Sequence, residues 1–145
     1  MFQNIVHKEG LSVSTNPRQM RLDFTITLLG LLELKNMFDL SQKLDTEILT
    51  KVMFTFSDEE ILSPLSLPKK LLHEIIDEAL AYMEPRATYK QRALIDVLKN
   101  LKTRDTFKPT QKGKLRQLWI DKIRKQDITK ILDKDKRILE WWKNI

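Results

Sequence analysis

Between Arg86 and Lys125 the chain concentrates thirteen basic side chains against three acidic ones. The cations are Arg86, Lys90, Arg92, Lys99, Lys102, Arg104, Lys108, Lys112, Lys114, Arg116, Lys122, Arg124 and Lys125; the acids are Asp96, Asp105 and Asp121. That is a local excess of +10 on a chain whose total is +6. Ammonium and guanidinium groups at this density suit one kind of chemistry, the neutralisation of phosphate oxygens. Unscreened they repel one another, so a DNA or RNA backbone is the expected partner. Ordinary solvated helices alternate signs along their faces, and this stretch does not.

Other residues give weaker chemical signals. His73, Glu74 and Asp77 place a histidine and a carboxylate at i and i+4, loosely like a zinc-protease helix, but the second histidine is missing. A surface histidine beside solvated carboxylates is the expectation. The other histidine, His7, is far away in sequence, and no Ser-His-Asp order can be drawn. Lys112-Gly113-Lys114 lacks the strand and glycine spacing of a phosphate loop. Ser57-Asp58-Glu59-Glu60 has the form of a capping box. Asp133 and Asp135 alternate with Lys134 and Lys136 as a solvated mixed-charge face. The expectation is therefore no enzyme, no metal and no cofactor.

The elements that must hold the cations read as helices. Three glycines and five prolines in 145 residues are few for an all-β chain, and 41% hydrophobic residues suffice for one domain with a core. The expected fold is all-α, a single compact bundle of five to seven helices over 17–145, behind a flexible arm at 1–16. Asn16-Pro17 is a helix start, leading a central helix with Met20, Phe24, Leu28, Leu31, Leu32, Leu34 and Phe38 apolar. Asp45 would cap a second helix through Ile48, Leu49, Val52, Met53 and Phe56. The β-branched and aromatic content of Val52 to Phe56 leaves a strand open, with no partner strand evident. Pro68 opens a helix with the stripe Leu71, Leu72, Ile75, Ile76, Ala79, Leu80 and Met83, and Pro85 stops it.

The basic stretch then forms a helical hairpin at 86–126. Its first arm is Ala87 to Thr103, with Leu94, Val97, Leu98 and Leu101 inward. Its second arm starts at Pro109 or Thr110, with Leu115, Leu118, Trp119 and Ile123 inward. Such a hairpin presents Arg92 and Lys99, with Lys102 close by, on one arm; on the other, Lys114, Lys122 and Lys125 lie along one side and Lys112, Arg116 and Arg124 along others, and the turn adds Arg104 and Lys108. Asp127 caps a last helix carrying Ile128, Ile131, Leu132, Ile138, Leu139 and Trp142. The turn between the arms is longer than that of a helix-turn-helix, which favours backbone binding over base readout. Trp119 reads as core, Tyr89 as the best stacking candidate, and one of Trp141 and Trp142 as inward. The other covers a seam or meets a partner.

Zero cysteines exclude disulfides and thiolate sites and fit a reducing interior. The first residues do not read as a secretory signal, and the apolar run Phe24 to Leu32 is too short to span a bilayer. A cytoplasmic protein with no membrane partner is expected.

The basic surface around Arg92, Lys99, Lys102, Lys114, Arg116 and Lys122, on a small helical chain, resembles the small subunit of multisubunit CRISPR effector complexes. The likeness is one of architecture and charge, over most of the chain. It implies a noncatalytic subunit in an antiviral assembly, several copies side by side, touching target-strand or displaced-strand phosphates and other protein subunits. Ile138-Leu139-Glu140-Trp141-Trp142-Lys143 is similar to the terminal pattern of DnaD-type replication proteins, and Leu72 to Leu80 resembles the helix before it. That second likeness implies a replication or regulatory DNA binder. A protein-binding helical adaptor, its apolar seams holding partner helices, is the remaining alternative.

Overall fold

A computed structural model describes residues 20–53 and 61–145. The expected arm, the Asn16-Pro17 helix start and the Ser57–Glu60 box lie outside the described residues. The described part is mostly helical, with six α-helices, but it also holds a two-stranded parallel sheet and so is not strictly all-α.

The sheet overturns two expected helices. Arg21–Ile26 is strand β1, and the helix α1 begins only at Leu34, running Leu34–Leu44 after a 3-10 turn at Gly30–Glu33. The reason lies in alternation: Phe24 and Ile26 point into the core while Arg21, Asp23 and Thr25 do not. The chain turns at Thr27, whose hydroxyl accepts the Gly30 N–H at 3.0 Å. A Cβ on Gly30 would stand 3.1 Å from the Thr25 carbonyl oxygen, so glycine permits this tight return.

Asp45 does not start a helix; it ends α1, in the left-handed region at φ 51°. The Thr46 N–H donates to the Ser41 carbonyl, and the chain runs directly into β2, Glu47–Val52. β2 pairs with β1 in parallel, Arg21 opposite Glu47 and Ile26 opposite Val52. Parallel strands need a long crossover, and residues 27–46, with α1 among them, supply it.

Later elements follow the sequence more closely. Pro68 precedes α2, Lys69–Met83, which buries Leu72, Ile75, Ile76, Ala79, Leu80 and Met83. A capping box of Thr88 and Gln91 opens a 3-10 turn that leads into α3, Arg92–Leu101. Leu94, Ile95, Leu98 and Leu101 are buried, while Val97 is half-buried. α3 lies against β2 and α2. Thr110 caps α4, Gln111–Arg124, its hydroxyl accepting the Gly113 N–H at 3.1 Å. The expected last helix is two: α5, Ile128–Leu132, capped by Asp127, and α6, Lys136–Lys143, capped by Asp135.

One core joins these elements except α4, with Ile26, Phe38, Ile48, Ile76, Leu94, Leu98, Leu132, Ile138 and Trp142 at most 2% exposed. A polar knot sits among them. Gln91 donates to the Ser41 hydroxyl at 2.9 Å, and that hydroxyl donates to the Thr46 carbonyl at 2.6 Å, so both buried side chains are satisfied. Arg137 clamps α6 to α2. It donates to both Glu78 oxygens, at 2.6 and 3.1 Å, and to Asp135 at 2.9 Å.

Candidate nucleic-acid interface

The thirteen basic residues divide by the element that carries them. Around α3 most are engaged by the protein itself. Lys90 donates to the Asp45 carboxylate at 2.7 Å and to its carbonyl at 2.8 Å; that carboxylate raises the lysine's pKa. Lys99 lies 3.6 Å from Glu84, and Lys102 is ion-paired with Asp77 of α2. Arg86 stacks over the Tyr82 ring at 4.3 Å and donates to the Tyr82 carbonyl. Arg92, at the start of α3, is exposed. Arg104 donates to the Asn100 side chain at 3.3 Å. Within α2, His73 donates from Nε2 to the Lys102 carbonyl at 3.0 Å, a tie between α2 and the end of α3.

α4 is arranged differently. It has no extended packing against α3; its polar side chains fasten it to the C-terminal segment instead. Gln111 donates to the Ile145 carbonyl. Lys114 donates to the Trp142 carbonyl at 2.8 Å and stands 5.5 Å from that ring. Asp121, 5% exposed, accepts from Gln117 and Gln126 at 2.9 Å and from the Ile128 backbone at the start of α5 at 3.0 Å. The buried row of α4 is thus Gly113, Gln117 and Asp121.

This row inverts the expected orientation of the helix. Leu115, Trp119 and Ile123 are 62%, 64% and 59% exposed and Leu118 is 41% exposed, so none is core. The physical reason is directional. Turned inward, Asp121 accepts from the buried Ile128 N–H at the start of α5, and turning the helix would leave that N–H without its acceptor at about 1–3 kcal/mol. Leu115, Leu118, Trp119 and Ile123, all expected inward, are therefore all on the outside. Lys112, Arg116 and Lys122 fall on the same arc of the helix as Leu115, Trp119 and Ile123, so cations and apolar side chains share the exposed side.

Lys112, Arg116, Lys122, Arg124 and Lys125 are all exposed on α4 and its cap. The helix contains a single acid, Asp121, and that one faces inward. Lys125 ends the helix in the left-handed region at φ 52°, and the last-turn cations complement the negative end of the helix dipole. The connecting segment before α4 is tied down by the Phe107 N–H donating to the Leu65 carbonyl at 3.0 Å. Beside it a cleft of about 680 Å³ is lined by Pro68, Phe107, Lys108, Pro109, Trp141 and Ile145. Tyr89, 77% exposed, lies at the opposite, α3 end of the basic stretch.

Comparison with protein-family models, curated proteins and solved structures finds no match to this chain.

What the arrangement can do chemically therefore rests on its side chains. Among the described residues no cluster of three or more His, Asp or Glu side chains is placed to hold a metal ion. No helix of the described residues is long and apolar enough to cross a membrane. α4 offers cations at intervals of one to two turns with an aromatic ring between them. That set can neutralise phosphates and contact apolar surface in the same footprint.

Proposed function

We propose that this protein is a noncatalytic nucleic-acid-binding subunit of a larger assembly, gripping the phosphate backbone without reading sequence. The observation that carries the reading is α4. Its exposed side carries Lys112, Arg116 and Lys122, with Arg124 and Lys125 following, while its lone acid is turned into the fold. Lys and Arg contact phosphate as point charges or forks, and neither requires base-edge contacts. Around α3, Lys90, Lys102 and Lys99 pair with Asp45, Asp77 and Glu84.

Membership in an assembly is supported by the exposed Leu115, Leu118 and Ile123 beside these cations, more apolar surface than a solitary chain gains from displaying. The likeness to CRISPR small subunits is one form of this proposal. The same apolar residues favour a second reading, an adaptor that seats a partner helix on α4.

A gel-shift series with unrelated DNA and RNA sequences at low and moderate salt tests the first reading. Affinity should be indifferent to sequence. It should fall steeply with salt, log K against log[salt] having a slope of roughly −0.7 to −0.9 per phosphate contacted. Salt-insensitive binding, or binding confined to one sequence, would overturn it.

A further inference from the structure

We propose that the strand received by α4 is single-stranded, with the Trp119 ring as the platform on which its bases stack. This rests on the nucleic-acid reading and names the form of the ligand.

The argument begins from what α4 displays. From Lys112 to Lys122 the helix advances about 15 Å. Within that length it presents Lys112, Leu115, Arg116, Trp119, Lys122 and Ile123 on one exposed arc. A duplex presents phosphate and sugar to a protein surface, with its base faces hidden in the stack. Pressed against a duplex, Leu115, Trp119 and Ile123 would meet charged backbone and gain nothing. An unpaired strand is amphipathic in the same sense as this arc. Its phosphates match Lys112, Arg116 and Lys122, and its uncovered bases match an indole ring that no neighbouring side chain covers by more than about a third.

Two other occupants fit less well. A second copy of the same face would oppose Lys112, Arg116 and Lys122 with identical cations. A partner helix would need acidic residues flanking an apolar stripe; its apolar half would be satisfied, but a stripe interrupted by a cation at each turn gives it a narrow seam.

The test compares a labelled oligothymidylate with a blunt duplex of equal length by fluorescence anisotropy at one low salt concentration, using the full chain. The single strand should bind more tightly and should quench Trp119 emission. Trp119→Ala should lower single-strand affinity about tenfold and leave duplex affinity unchanged, and Trp119→Phe should retain most of the affinity while losing the quench. Trp119 is exposed, so neither change endangers the fold. Equal affinity for the duplex, with indifference to Trp119→Ala, would overturn the single-strand proposal and leave the nucleic-acid reading standing. Binding of neither probe, with capture of an acidic amphipathic helical peptide that Trp119→Ala abolishes, would overturn both and assign the face to a protein.

Discussion

α3 and α4 are the two arms of one basic stretch, yet the fold uses them in opposite ways. α3 buries Leu94, Ile95, Leu98 and Leu101 and hands Lys99 and Lys102 to carboxylates on and after α2. α4 buries Gly113, Gln117 and Asp121 and leaves both its apolar residues and most of its cations outside. Local charge excess therefore does not by itself mark a binding face. What distinguishes the arms is whether the helix is anchored by its apolar or its polar side.

The sharpest way to break this contrast is to shorten one leucine on each arm. Leu98→Ala should destabilise the fold by about 2–5 kcal/mol, because Leu98 is fully buried. Leu115→Ala should stay within about 0.5 kcal/mol of the parent. Urea denaturation of both variants gives the comparison, and similar losses would mean that α4 is core after all. The anchoring of α4 can be probed next. Asp121→Ala should cost about 1–3 kcal/mol, since it strands Gln117, Gln126 and the Ile128 N–H. Its signature is loss of the Trp142 environment in near-ultraviolet circular dichroism.

Charge reversal separates the arms functionally. Replacing Lys112, Arg116 and Lys122 by Glu should flatten the salt dependence of nucleic-acid binding by a slope of about 2. Reversing Lys99 and Lys102 should change that slope far less and instead lower stability by leaving Glu84 and Asp77 beside new acids. Equal effects from the two sets would erase the contrast between the arms.

The smallest effects are those of pH. Lys90 has its pKa raised by the Asp45 carboxylate, so its contribution is complete below the ordinary lysine value of about 10.4. That contribution is lost as pH rises through the higher folded value. Asp135, lowered by its hydrogen bonds to Arg137, and Glu33, lowered by those to Lys134 and Asn36, behave oppositely. The unfolded chain binds their protons more readily, so their stabilisation is present above about pH 4 and disappears on acidification. Thermal melting across the two limbs should show a shallow loss at each end. An acid limb unaffected by Arg137→Met would contradict the assignment of the clamp.

How legible each part was depends on which force decided it. The helices α2 and α3 were readable because their apolar spacing, their caps and their burial agree, from Pro68 through Met83 and again at Leu94, Leu98 and Leu101. β1 was hidden because two periods overlap. Leu22, Phe24, Ile26 and Leu28 alternate as a strand, while Phe24, Leu28, Leu31 and Leu32 fit a helix, and only pairing with β2 decides between them. β2 in turn lacked a visible partner, because its partner lies across a helix rather than across a short turn. α4 failed for another reason. Spacing marked Leu115, Trp119 and Ile123 as a stripe, but the side that faces inward was chosen by the hydrogen bonds of Asp121, which spacing does not register. The cationic character of the site was legible from composition alone; its direction was not.

The joining of β1 to β2 through α1 has a consequence for how the chain acquires its shape. A hairpin can zip from its own turn within microseconds, but two strands running the same way have no such seed. Neither can find the other until the intervening segment has coiled and doubled back. Everything resting on that ribbon, including the α3 arm that lies against β2, must therefore wait for a long-range meeting that local propensity cannot hurry.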